Sequence, residues 1–307
     1  MKLSVFTVAT PDLTPEELAR AASAAGIQGL EWRCKEQPQD TQLQGPPSFW
    51  GNNLSTIDPR ATDEQLSVFS SAANRYGLQS IALTPYLTCG DLEGTEAVFK
   101  LAVQLGASMV RVGVPFYNGT RNYNEMLQDA VNYLKAVEGL AGDYGIKALV
   151  ETHHFTIAPS ASAAYRLVQG LNPDKVGVLY DPGNMVHEGF ETYRMGMELL
   201  GPYLAHVHVK NAGWRPVAKD ASGVEHPNLL QAEHGGQEAE PLNPIAWSGS
   251  WRPIASGMVP WKRVLADLMA VGYDGWLGVE DFSEAYDSKT MLSLYAQQMR
   301  TWWEELE

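Results

Sequence analysis

Three short apolar runs decide how this chain folds. Ala148-Leu149-Val150 leads into Glu151-Thr152-His153-His154, and Val176-Gly177-Val178-Leu179-Tyr180 leads into Asp181-Pro182-Gly183-Asn184. Leu204-Ala205-His206-Val207-His208-Val209 leads into Lys210-Asn211. A fourth run, Gly275-Trp276-Leu277-Gly278-Val279, ends in Glu280-Asp281-Phe282. Apolar runs of this length, bounded by turn residues, read as parallel strands buried on both faces. Polar residues just past the C-terminal ends of several such strands are where a (β/α)8 TIM barrel keeps its chemistry. Glu151, Asp181, His208 and Glu280 together offer three carboxylates and one imidazole. That mixed donor set suits a single divalent metal ion such as Mn²⁺, Mg²⁺, Co²⁺ or Zn²⁺.

Around these runs the chain repeats one phrase: an apolar helix, a glycine, one or two residues, a strand. It recurs at Gly26, Gly77, Gly106, Gly145 and Gly272, the signature of alternating β/α units. Strands are expected over residues 3–10, 27–33, 78–84 and 109–114 before the run that carries Glu151. Thr14-Pro15-Glu16-Glu17 and Thr62-Asp63-Glu64-Gln65 have the form of helix N-caps with a capping-box residue. Further helices are expected over 92–105 and 122–144. Residues 37–60 are polar and rich in Pro, Gly and Asn, a long loop over one face. Eight strands and eight helical connections make one (β/α)8 domain of residues 1–307. The pattern breaks between 211 and 260, where Trp214, Trp247 and Trp251 stand among Gly, Pro and the polar, acidic stretch 237–240. A long segment of this kind after the seventh strand reads as a lid-like insertion over the ligand-bearing end.

The totals agree with that architecture. A length of 307 residues and an apolar fraction of 45% suit one barrel with a large core. The formal charge of −14 and the lack of a Lys/Arg cluster argue against a nucleic-acid partner. Two cysteines, Cys34 and Cys89, give neither a disulfide framework nor a CxxC metal pair, as in a reducing cytosol. The opening Met1-Lys2-Leu3-Ser4-Val5-Phe6-Thr7-Val8 does not read as a secretory leader, and no long apolar span follows. The expectation is a cytoplasmic protein with no membrane partner.

The remaining candidates each have a bland reading beside the functional one. His206 and His208 are expected to face opposite ways, one into the barrel and one toward the helices. Glu31 lies near the end of the second strand beside Trp32 and Arg33, a candidate for touching substrate. Tyr86, Tyr117 and His187 are pocket candidates that equally serve packing. The tryptophans of the insertion, Trp214 included, either stack on a sugar ring or pack the loop down. Lys210 either holds a substrate oxygen or pairs with a neighbouring carboxylate. Asp281 is expected to support its neighbour Glu280.

Val150-Glu151-Thr152-His153, Tyr180-Asp181-Pro182-Gly183-Asn184, His206-Val207-His208-Val209-Lys210-Asn211 and Val279-Glu280-Asp281-Phe282 resemble the xylose isomerase-like TIM barrels. Within these, the likeness is to the sugar phosphate isomerase/epimerase group, over nearly the whole chain. The resemblance implies that Glu151, Asp181, His208 and Glu280 are the metal ligands, with Mn²⁺ the first expectation. It implies isomerisation or epimerisation of a small polyhydroxy ketone or aldehyde, by proton abstraction next to the carbonyl. Glu151 and Glu280 would then act as acid and base on opposite faces. The alternative on the same scaffold is a lyase or dehydratase acting on a keto-sugar, keto-inositol or 3-keto-glycoside. There the Glu-x-His motif, Glu151-Thr152-His153, supplies His153 as base. Two residues apart on an extended end, Glu151 and His153 share a face; His153 either is that base or binds a substrate hydroxyl.

The chain departs from the ketose 3-epimerase pattern at two points. Asn184 stands where those enzymes have a histidine, and Trp214 where they have an arginine, with Arg215 adjacent. Asn184 and Trp214 are accordingly substrate-side candidates, with Lys210, Glu31 and His187. A nuclease on this fold would carry extra metal-binding histidines and a basic face, which the charge opposes. A non-catalytic sugar-binding protein on this fold would have lost a ligand, and all four are here. No glycine-rich phosphate cradle is visible, so a free sugar and a sugar phosphate both stay open. The resemblance also allows a homo-oligomer.

Overall fold

Threonines start the first two helices. Thr14 caps α1 (Pro15–Ala24) and Thr62 caps α2 (Asp63–Arg75), each closing a reciprocal capping box with the Glu17 or Gln65 side chain. The computed structural model describes residues 1–37, 45–216 and 247–307. The helices that follow are α3 (Leu92–Leu105), α4 (Tyr123–Tyr144), α5 (Ala161–Val168), α6 (Pro182–Glu188), α7 (Tyr193–Leu200), α8 (Trp261–Ala270) and α9 (Ser288–Glu304). Gly106 and Gly145 end α3 and α4 in the left-handed conformation, at φ 71° and 65°, which glycine adopts without Cβ strain.

The strands are β1 (Lys2–Phe6), β2 (Gly29–Cys34), β3 (Thr56–Ile57), β4 (Gln79–Pro85), β5 (Met109–Arg111), β6 (Lys147–Glu151), β7 (Val176–Tyr180), β8 (Leu204–Val209), β9 (Asn211–Pro216), β10 (Trp247–Arg252) and β11 (Trp276–Val279). Eight of them close a parallel barrel in the order β1-β2-β4-β5-β6-β7-β8-β11, with β11 pairing back to β1. This is the (β/α)8 architecture read from the sequence.

Alternation along each strand separates two cores. In β6, Ala148 and Val150 join the large cluster between strands and helices, while Leu149 joins a small one with Met109 and Leu179. That small cluster fills the barrel axis below the polar layer. Every inward residue above it is then free to be polar, and this is where the chemistry collects.

Three expectations need correction. The first strand stops at Phe6, because residues Thr7–Ala9 turn into a short 3₁₀ segment. The strand expected over 109–114 stops at Arg111. Beyond it the chain presses on residues 87–89 at Gly113, where a Cβ would lie 2.6 Å from the Leu87 carbonyl. The polar segment 37–60 is not all loop, since β3 pairs with β2; residues 38–44 lie outside the described residues.

The insertion is also more regular at its root than a loop. β9 and β10 pair antiparallel from Asn211↔Arg252 to Pro216↔Trp247. Asn211 ties that root: its amide donates to the Ile254 and Val259 carbonyls at 2.8 and 3.0 Å and accepts from the Val259 and Ala212 backbone. The expected lid over 211–260 otherwise falls on residues 217–246, including the acidic stretch 237–240, which lie outside the described residues, as does the Trp247 side chain. Among the described residues, no helix is long and apolar enough to cross a membrane.

Candidate metal centre and active site

The ligand residues arrive from four neighbouring strand ends. Glu151 is the last residue of β6, Asp181 follows β7 and caps α6, His208 lies in β8, and Glu280 follows β11. One donor atom from each lies within 4.8 Å of the others, and all four residues are buried. Nδ1 of His208 stands 3.7 Å from Glu151 Oε1, 3.9 Å from Asp181 Oδ2 and 3.5 Å from Glu280 Oε2.

These atoms fit a divalent cation on their own chemistry. Among the described residues, Asp181 Oδ2, His208 Nδ1 and Glu280 Oε2 are buried with no hydrogen-bond partner, a cost that Lys210 offsets only in part and a divalent cation would offset further. The Lys210 ammonium is an ion-pair partner of both oxygens, at 3.2 Å from Asp181 Oδ2 and closer still to Glu280 Oε2. Four buried carboxylates (Glu31, Glu151, Asp181 and Glu280) face two permanent cations, Arg111 and Lys210. With His208 neutral, as a ligand must be, one divalent ion would balance the remainder.

Charge distribution follows from these contacts. Burial opposes ionisation of Glu151, but the Arg111 guanidinium, and after it His208, hold its carboxyl well below the usual range. Burial pushes Asp181 up to about 6, with Lys210 opposing and Glu280 adding to the rise. Burial would lower His208, yet Glu31 and Glu280 hold the imidazole well above its ordinary value.

His206 and His208 do not face opposite ways. Both rings point into the barrel and both place Nε2 on the same oxygen, Glu31 Oε2, at 2.9 and 3.0 Å. Residues two apart on a strand return to one face, so the earlier expectation inverted the period. The expected role of Glu31 at the substrate changes with it. Glu31 is fully buried and bonded to Thr84 and both histidines, so it lies beneath the ligands and orients His208 with Nδ1 toward the cluster.

A cavity of about 500 Å³ opens above the cluster, and Glu151, His153, Lys210 and Glu280 line it. His153 Nδ1 lies 2.7 Å from the His154 carbonyl. An N–H on Nδ1 satisfies that oxygen. Lys210 takes the second of its expected readings, pairing with the Asp181 and Glu280 carboxylates, and also lines the cavity, its ammonium 4.7 Å from the Trp251 ring centre and 5.0 Å from that of Phe282.

Other candidates fall elsewhere. Asn184 is fully buried and acts as a hub, donating to Glu151 Oε1 at 3.2 Å and accepting from Lys210 at 3.0 Å. It therefore holds a ligand instead of lining the cavity. His187 packs against the rings of His154, Trp214 and Trp251, and Trp214 Nε1 donates to the Val186 carbonyl at 2.9 Å. These two residues anchor the hairpin on α6 and do not line the cavity. Tyr86 does line it, whereas Tyr117 does not and packs against Tyr123.

Sequence reasoning missed Arg111. It ends β5 with its side chain inward, bonds Glu151 Oε2 at 2.6 Å and the Pro85 carbonyl at 3.1 Å, and lines the cavity. An arginine closing a strand at the place where Glu151 closes the next was the available signal.

Comparisons with known proteins agree with the fold. A family model described as "Xylose isomerase-like TIM barrel" matches residues 19–306. An inosose dehydratase of Geobacillus thermodenitrificans is 24% identical over 76% of this chain and 77% of its own. The crystal structure of an E. coli 3-keto-D-glucoside 4-epimerase superposes with a TM-score of 0.66 at 15% identity, covering 98% of this chain and 99% of its own. A Mycobacterium smegmatis xylose isomerase-like TIM barrel protein in complex with magnesium superposes with a TM-score of 0.63 at 13% identity, covering 100% and 98%.

Proposed function

The chain belongs to the xylose isomerase-like TIM barrel family, and from that premise we propose that it is a divalent-metal-dependent lyase of the dehydratase type. Its substrate is a small keto-sugar, keto-inositol or keto-glycoside. Glu151, Asp181, His208 and Glu280 hold the cation, Mn²⁺ first among Mg²⁺, Co²⁺ and Zn²⁺. When bound, that cation supplies Lewis acidity, stabilising negative charge as it develops on the substrate carbonyl.

The observation that carries the lyase reading is the state of Glu151. Both of its oxygens are engaged, Oε2 by Arg111 at 2.6 Å and Oε1 by Asn184 at 3.2 Å. A carboxylate so held is a good ligand and a poor base. His153, two residues further along and lining the same cavity, is the base in this reading. It takes the proton from the carbon next to the carbonyl. The C–O bond one carbon further on then breaks, and the departing hydroxyl leaves as water with a proton equivalent to the one removed. Lys210 holds a substrate oxygen in place during this step. The relation to inosose dehydratases, named for a dehydration, is consistent with this reading.

A second reading has its own observation. Glu280 also lines the cavity and, among the described residues, its side chain pairs with Lys210 and His208 alone, so it is freer than Glu151 to move a proton. Epimerisation would use Glu280 as one of two acid–base groups. The readings separate in an absorbance assay for enone formation with keto-inositols and 3-keto-glucosides. The lyase reading predicts an enone that His153→Ala abolishes. Substrate consumption with no enone, lost in Glu280→Gln, favours the epimerase.

A further inference from the structure

The same cavity has a second polar wall, away from the metal ligands and centred on Tyr86. Tyr86 lines the cavity and is 44% exposed. Three cations surround its ring: the Arg111 guanidinium at 5.3 Å, the Lys35 ammonium at 5.5 Å and the Arg33 guanidinium at 5.6 Å. Arg111 is neutralised by Glu151. Among the described residues, the other two have no carboxylate partner.

Arg33 is fully buried, yet its partners are all neutral: the Tyr86 hydroxyl at 3.3 Å, the Thr56 hydroxyl at 2.7 Å and the Trp50 carbonyl at 3.1 Å. Lys35 sits two residues on, and among the described residues no carboxylate stands opposite it. Burial and then the neighbouring Arg33 lower its pKa. A buried guanidinium with no carboxylate opposite it among the described residues is an expensive arrangement, and more unexpected in a chain of net charge −14; the Lys35 ammonium beside it is exposed to solvent. The hydrogen bonding adds direction. The Tyr86 oxygen accepts from Arg33 Nε, which leaves the Tyr86 proton available to an acceptor on the cavity side.

We infer that Tyr86 and Lys35, backed by Arg33, form an anion subsite, so that the substrate is an acidic keto-sugar carrying a carboxylate or phosphate remote from its carbonyl. This deepens the function proposed above and rests on it for the keto-sugar part. Tyr86 donates to the anion, Lys35 supplies the charge at the rim, and Arg33 positions Tyr86 without touching the ligand. Arg111 spans the distance inward, reaching Tyr86 on one side and Glu151 on the other. A substrate bound by its anionic end at Tyr86 therefore extends toward the metal ligands.

The test begins with small anions and needs no turnover. The full-length protein in EDTA is titrated calorimetrically with inorganic phosphate and with acetate. Saturable binding of either is expected, weakened about tenfold by Tyr86→Phe or Lys35→Gln, as for loss of one charge-assisted hydrogen bond. Lys100→Gln, on the outer surface, leaves it unchanged. Preference for phosphate or acetate distinguishes the two anion types. Absent binding, or binding indifferent to both variants, overturns the subsite. With metal restored, Lys35→Gln is expected to raise KM for an anionic keto-sugar with kcat unchanged, and to leave neutral keto-sugars alone. Anion binding that follows the variants without turnover of any substrate supports the subsite and counts against the proposed reaction. Turnover of neutral substrates with no anion binding does the opposite.

Discussion

Glu31 and His208 are joined by a 3.0 Å contact between Oε2 and Nε2, deep in the barrel where neither residue is exposed. The carboxylate fixes the ring so that Nδ1 meets Glu151, Asp181 and Glu280. Replacing Glu31 with Gln removes the charge and leaves the shape. Metal affinity is expected to fall about 10–100-fold, as for loss of a carboxylate behind a ligating histidine. Competition against a chelator of known affinity measures it, and an unchanged affinity contradicts the assigned role.

Arg111→Met leaves Glu151 buried without its cation. Breaking a buried pair from one side costs about 3 kcal/mol or more, so the urea midpoint is expected to drop clearly. Arg111→Met combined with Glu151→Gln is expected to lose less than the two single changes added together, because the stranded charge is gone. Additive losses would show that the pair is not coupled.

Asn211 closes the root of the insertion through four hydrogen bonds with Ala212, Ile254 and Val259. Asn211→Ala leaves buried backbone groups unpaired, at about 1–3 kcal/mol for such a loss. Denaturant unfolding measures the drop, while metal content at saturation is expected to stay at the wild-type level.

The two thiols give a pH prediction. Burial, and then Asp129, push Cys89 up to about 11, and burial, and then Asp58, push Cys34 up to about 12. A raised thiol pKa keeps the unreactive neutral form through pH 8 and releases thiolate only as pH climbs toward that value. Iodoacetamide is expected to label Cys89 of the Cys34→Ser variant at pH 8 about 100-fold more slowly than the same chain unfolded, from the two-unit shift in thiolate fraction. Equal rates would show that Cys89 is not shielded.

Much of this was legible in the sequence. Helix caps at Thr14 and Thr62 and glycines such as Gly106 and Gly145 are local signals, and they gave the helices closely. The four residues of the candidate metal cluster were legible because each stands at or near the end of an apolar run. What was not legible depends on which way inward side chains turn once the barrel closes. Glu31, Trp32 and Arg33 are indistinguishable until β2 pairs with both β1 and β4, and Asn184 became a hub only when α6 brought it against Glu151 and Lys210. Arg111 lay in the middle of the strand expected over 109–114, and only the early end of that strand sets its side chain beside Glu151. The antiparallel pairing of β9 with β10 is non-local, and no turn signal joins two strands separated by residues 217–246.

Proton NMR in D₂O of the metal-loaded protein with keto-inositols, 3-keto-glucosides and their anionic derivatives tests the central claim most directly. Loss of the β-substituent to give an enone is expected, abolished by His153→Ala and dependent on the added divalent metal. Deuterium entering next to the carbonyl with every substituent retained, undiminished in His153→Ala, would contradict it and return the acid–base role to Glu151 and Glu280.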